Sequence, residues 1–76
     1  MNKDRRKRLA EIEDKLEELK EQLDAIREEE EEAYENLPQS LQDGEKGQNM
    51  DANRDALQQA VDSLDESLDS IRQADN

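Results

Sequence analysis

Large apolar residues recur through the first part of the chain at intervals of three and four: Leu9, Ile12, Leu16, Leu19, Leu23 and Ile26. That spacing is the a/d rule of a coiled-coil seam, so it predicts a helix, with Leu9 at a and Ile12, Leu19 and Ile26 at d. The same frame places Glu30 at a, Ala33 at d and Leu37 at a, so the seam is interrupted by one charge and then resumes. Most acidic residues up to position 36 take the outward b, c and f positions. Lys15, Lys20 and Arg27 take g or e positions, where they cover apolar stems and meet acids on a facing helix. Pro38 closes the helix, because proline cannot continue the hydrogen-bond ladder and disfavours α geometry in the residue before it.

A connector follows, from Leu37 to Asn49. It holds both glycines and the one proline of the chain, and it suits a plain loop or a helical turn around Ser40 to Gln42. Gly44 and Gly47 read as flexible turn residues. Asn49 is placed to cap a second helix, with Asp51 in the first turn where a negative charge suits the helix dipole. In that helix Met50, Leu57, Val61, Leu64, Leu68 and Ile71 form a second heptad seam flanked by small residues such as Ala56, Ala60, Ser63 and Ser67.

A connector of about a dozen residues is too short for the two helices to lie parallel. The expected fold is therefore all-α: an antiparallel two-helix coiled-coil hairpin in a single domain 1–76, with helices over about 3–36 and 50–74 and a connector over about 37–49. Layer matching sets Ile26 against Leu57, Leu19 against Leu64, Ile12 against Ile71, and Lys20 near Asp65. One such pair buries a single apolar strip, so two copies are expected to dimerise into a four-helix bundle.

Composition adds tension to that picture. Leu, Ile, Val and Phe supply only 13 of the 76 residues, a level at which a highly charged chain is suspected of disorder. Ala, Glu, Lys, Leu and Arg supply 40 of the 76, a level that signals long helices when periodicity supports it. The heptads decide for helix.

Chemistry is sparse. There is no Cys and no His, which removes disulfides, the usual zinc ligands, the nucleophilic triads and the Glu-x-x-His element of dinuclear bundle sites. The serines have no visible base, and Gly44-x-x-Gly47 lacks the spacing and the Lys-Ser/Thr pair of a phosphate loop. No catalytic residue, metal ligand or cofactor site is therefore expected, and the chain reads as noncatalytic. The basic start has no apolar run behind it, and no stretch approaches the roughly 20 apolar residues that span a bilayer. The expected location is the cytoplasm, away from membranes.

The net charge is −12, from 23 acidic and 11 basic residues, which disfavours direct nucleic-acid binding and points to a protein partner with a basic surface. Glu28, Glu29, Glu31, Glu32, Glu35, Asp51 and Asp55 make the loop end of the hairpin strongly negative. Carboxylates three or four residues apart on a helix lie about 4.5–6 Å apart along its axis, near the ~3.4 Å phosphate spacing of a DNA strand. Such a face can occupy a phosphate-binding groove as a DNA mimic or serve only as a solvated helix face. Tyr34, the sole aromatic, sits with Leu37, Leu41 and Met50 either as a plug of the hairpin tip or as the anchor of a contact. At the opposite end Lys3, Arg5, Arg6, Lys7 and Arg8 crowd a helix start, where the dipole disfavours cations. Asp75 and the terminal carboxylate are the nearest compensating groups in the hairpin.

The stretch EEEEAYENLPQSLQDGEKGQNMDANRDALQQAVDSLDESLDSI resembles small acidic proteins of phages and mobile elements of Gram-positive bacteria, through the acidic run, the aromatic-x-N-L-P-x-S-L-Q segment and the Leu/Asp-rich helix. The resemblance covers about half of the chain. It implies a mobile-element context and assigns no site. The leading functional expectation is a phage or mobile-element inhibitor that covers a basic surface of a nucleic-acid-processing or defence protein. The alternatives are a self-associating coiled-coil scaffold and a nucleic-acid contact through the basic start.

Overall fold

In the computed structural model, which describes residues 1–74, Asn2 starts the first helix. Its Oδ1 accepts a hydrogen bond from the Arg5 backbone N–H at 2.8 Å, satisfying one of the donors that a helix start leaves open. Helix α1 runs Lys3–Glu35, a short α2 Gln39–Gln42, and α3 Glu45–Ala74, with no strand among the described residues. The fold is all-α, and helix accounts for 91% of it. Asp4 lies in the first turn of α1 and pairs with Arg8 at 3.1 Å, which offsets part of the cationic start. Asp75 and the chain end, expected to serve there, lie outside the described residues.

At its far end α1 stops one residue before the expected limit. Leu37 lies between the helices, as suits the residue before a proline, and Pro38 is the N-cap of α2. The Gln42 amide reaches back and donates to the carbonyls of Tyr34 and Leu37, both at 3.1 Å. It thereby satisfies acceptors that the end of α1 leaves open.

Helices α1 and α3 lie side by side. Glu13 pairs with Arg72 at 2.5 Å, Lys20 with Asp65 at 2.6 Å, and Glu31 with Arg54 at 3.8 Å, so positions fall along α3 as they rise along α1. The molecule measures 58 × 15 × 11 Å and has a radius of gyration of 17.3 Å, against about 11 Å for a compact chain of this length. Lys20 binds its proton more firmly than a free lysine, chiefly through the hydrogen bond to Asp65 and against the cost of desolvation.

The seam differs from expectation in its rotation. The ion-pair register brings Leu68 level with Leu16 and Val61 level with Leu23, and these a positions carry the core: Leu68 is 1% and Val61 7% exposed. The d residues of α1 turn outward, with Ile12, Leu19 and Ile26 at 47, 54 and 52% exposure, so although the ion-pair register keeps them level with Ile71, Leu64 and Leu57, these layers stay open on one side. The e positions explain the rotation. Glu13 and Lys20 of α1 find opposite charges at Arg72 and Asp65 of α3, and drawing these edges together swings the d rows to the other side.

A second correction concerns the connector. Helix α3 begins at Glu45, not near Met50, and Asn49 lies inside it, where it caps nothing. Gly47 explains the early start. It is buried in the first turns of α3, and a Cβ on it would lie only 2.5 Å from the Gln42 carbonyl carbon and 2.6 Å from its Cα. Absence of a side chain, not freedom of φ, is what this glycine supplies, since no glycine has positive φ. Gly47→Ala should therefore destabilise by about 1–3 kcal/mol through overpacking, even though alanine gains about 1 kcal/mol of helix propensity. Gly44→Ala, whose Cβ would meet only carbonyl oxygens at 3.7 Å, should stay within about 0.5 kcal/mol of the wild type. Thermal melts followed by circular dichroism measure both.

Candidate functional site

The acidic run that interrupts the α1 seam is met by a cation on α3. Arg54, at an a position of α3, pairs across the helices with Glu31, the neighbour of the seam residue Glu30. Arg54 sits over the Tyr34 ring with its guanidinium carbon 4.5 Å from the ring centroid, donates to Asp51, and reaches Glu31 at 3.8 Å. Asp51 first, and Glu31 after it, hold the Arg54 guanidinium more firmly protonated than an ordinary arginine. Its Nε is buried without a hydrogen-bond partner, an unmet donor inside an otherwise satisfied clamp. Tyr34 is thus held from two sides: Arg54 covers the ring, and Gln42 binds the carbonyl.

A second clamp lies one turn back on α1. Arg27 donates to Asp24 at 2.8 Å and to Glu31 at 3.3 Å, and passes Glu28 at 3.8 Å. The Asp24 hydrogen bond, with Glu31 and Glu28 behind it, raises its proton affinity. Glu31 is therefore shared by two arginines and half shielded, and Asp51 is held by Arg54. Neither is an open contact residue, although both belong to the expected acidic face. Glu29, Glu32, Glu35 and Asp55 are exposed and make no ion pair, and Glu28 is exposed beside Arg27. The open acidic surface is this smaller set, with two arginines fixed beneath it.

Of the expected tip cluster, Tyr34, Leu37 and Met50 are partly shielded, whereas Leu41 on α2 stays 46% exposed. At the other end of the molecule Met1, Arg5, Arg8, Leu9 and Ile12 line an apolar concavity of about 260 Å³. Among the described residues no group of three or more acidic side chains is arranged to hold a metal ion, and no helix is long and apolar enough to cross a membrane.

Neither family models nor curated proteins nor solved structures give a match to this chain. Its surfaces therefore have to be read from its own residues.

Sequence reasoning identified Tyr34 and the carboxylates but missed the organising roles of Arg54, Gln42 and Gly47. A signal for Arg54 was present, because it is the only cation opposite the acidic run at the loop end, but its place over Tyr34 was not readable. Gln42 and Gly47 gave none, since both act through backbone groups that only the packed connector brings near. Arg54→Ala should lower the melting temperature by several degrees and flatten the near-ultraviolet circular dichroism of Tyr34, the only aromatic side chain. Arg54→Lys should fail to restore that signal, because an ammonium cannot stack flat on the ring while forking to two carboxylates.

Proposed function

We propose that this chain is a noncatalytic protein-binding module of a phage or mobile element. In this reading its two long helices form an antiparallel hairpin, two copies make a four-helix bundle, and the acidic tip covers a basic surface of a nucleic-acid-processing or defence protein. The observation that carries the reading is the row Glu32 and Glu35, exposed and unpaired one three-residue step apart above the Arg27 and Arg54 clamps, with Asp55 exposed and unpaired on α3. Three helical residues rise about 4.5 Å, so the step is on the scale of phosphates along one DNA strand. The clamps hold the helix behind the row, which lets the carboxylates meet a basic groove with little ordering cost. Net charge of −12 would speed the encounter by electrostatic steering.

A second reading, a self-associating scaffold without mimicry, is favoured by a different observation, the outward row of Ile12, Leu19 and Ile26. Salt and charge reversal separate the two. A partner held by mimicry should be displaced by duplex DNA, should weaken steeply between 50 and about 300 mM salt as screening tightens, and should be lost when Glu32, Glu35 and Asp55 are reversed to Lys. Purified host nucleases, polymerases and topoisomerases are suitable probes for surface plasmon resonance. A bound enzyme that ignores both the DNA competitor and the reversed variant would sink the mimic reading and leave the scaffold reading standing.

A further inference from the structure

We propose that the apolar strip along the open side of the α1/α3 pair is the surface on which a second copy of this chain docks, with α1 antiparallel on the partner's α1 and the two-fold axis passing near Gln22 and Ala60. This rests on the dimeric reading above and adds the face, the orientation and a role for both ends of the molecule.

The two sides of the helix pair are unlike. One is closed by the ion pairs Glu13–Arg72 and Lys20–Asp65. The other carries Ile12, Leu19 and Ile26 about half exposed, beside partly shielded Leu57, Leu64 and Ile71. The chain exposes 5731 Å², whereas a compact protein of 8.8 kDa exposes about 4,800 Å². The excess belongs to the elongated shape, 58 × 15 × 11 Å, in which one long face of the helix pair has no covering element.

Charge selects the orientation. The outward face of α1 is itself a heptad seam in which apolar d residues alternate with g residues, and the g residues between Ile12 and Ala33 are Lys15, Gln22 and Glu29. The set is antisymmetric about Gln22. An antiparallel α1 pair places Lys15 against the partner's Glu29 on both sides of the axis, and a parallel pair would put like against like. Laying α1 on the partner's α3 would instead set Lys15 and Glu29 near Ser67 and Asn53, which offer no charge.

The apolar rows have the same centre. Counted with its last members, the α1 d row Ile12, Leu19, Ile26 and Ala33 has its midpoint between Leu19 and Ile26, and the α3 row Met50, Leu57, Leu64 and Ile71 has its midpoint between Leu57 and Leu64, at the same level of the molecule. One axis therefore serves both helices. It crosses α3 at Ala60, where a methyl group lets two α3 helices approach closely. The same register brings the partner's half-exposed Leu41 level with the concavity between Met1, Arg5 and Ile12. It also sets the cationic start of each copy beside the acidic connector end of the other. Each end of the resulting rod carries one acidic tip, so the dimer presents two equivalent contact surfaces.

The chain has no cysteine, so disulfide trapping tests this directly. A mixture of Gln22→Cys and Ala60→Cys proteins, oxidised in a glutathione buffer, should give covalent 22–22 and 60–60 dimers and no mixed species. Mixed 22–60 dimers would overturn the orientation by placing α1 on the partner's α3. No cross-link at either position would overturn the strip as a self-docking surface, while the response of the tip carboxylates to reversal would remain a separate result. Lys15→Glu should weaken the dimer roughly tenfold, and the swap Lys15→Glu with Glu29→Lys should restore it. Failure of the swap to restore would also overturn the orientation.

Discussion

The charged edge between α1 and α3 sets the geometry of this molecule. Among the described residues Val61 and Leu68 are the only buried large apolar side chains, so apolar area by itself does little to choose among the registers that two heptad helices can adopt. The pairs Glu13–Arg72, Lys20–Asp65 and Glu31–Arg54 make that choice. They fix which layers meet, and by drawing the e positions together they fix which row of leucine and isoleucine faces inward. Exposed ion pairs stabilise little individually. Their effect here is one of specification, since a shift by one heptad would break Glu13–Arg72 and Lys20–Asp65 and set Glu13 beside Asp65 or Lys20 beside Arg72.

The acidic tip depends on that edge in turn. With the register fixed, Arg54 arrives over Tyr34 and between Asp51 and Glu31, and a run of five glutamates can continue as a helix because two of its turns are neutralised from beneath. Gly47 and Gln42 complete the corner. The first lets α3 begin against the backbone of α2, and the second ties α2 to the last carbonyls of α1. A tip built in this way is cross-linked by ion pairs on the inside and carries exposed carboxylates on the outside.

Much of this was legible in the sequence, and the parts that were not share a cause. Heptad spacing gave both long helices, Pro38 the end of the first, and layer matching placed Lys20 near Asp65. The rotation of the seam was not legible, because an a/d pattern shows which residues avoid water without saying whether one partner or two will cover them. Ile12, Leu19 and Ile26 satisfy the a/d rule and remain half exposed. The start of α3 was misread because Asn49 and Asp51 look like a helix start, whereas what lets Glu45 begin the helix is a close backbone approach at Gly47. Propensity and capping rules carry no information about such an approach. Within the candidate site, the identities of the carboxylates were readable, but their division into clamped and open groups required the positions of Arg27 and Arg54.

A helix pair held by one narrow apolar row and a charged edge should be incomplete as a monomer, and the dependence of helix content on concentration tests this most directly. Sedimentation equilibrium and circular dichroism would be recorded on the same samples across a dilution series. The account predicts a species of twice the 8.8 kDa chain mass whose helicity falls as dilution separates the copies. A monomer that keeps full helicity at every concentration would contradict it, and would mean that the charged edge and the Val61/Leu68 row suffice alone.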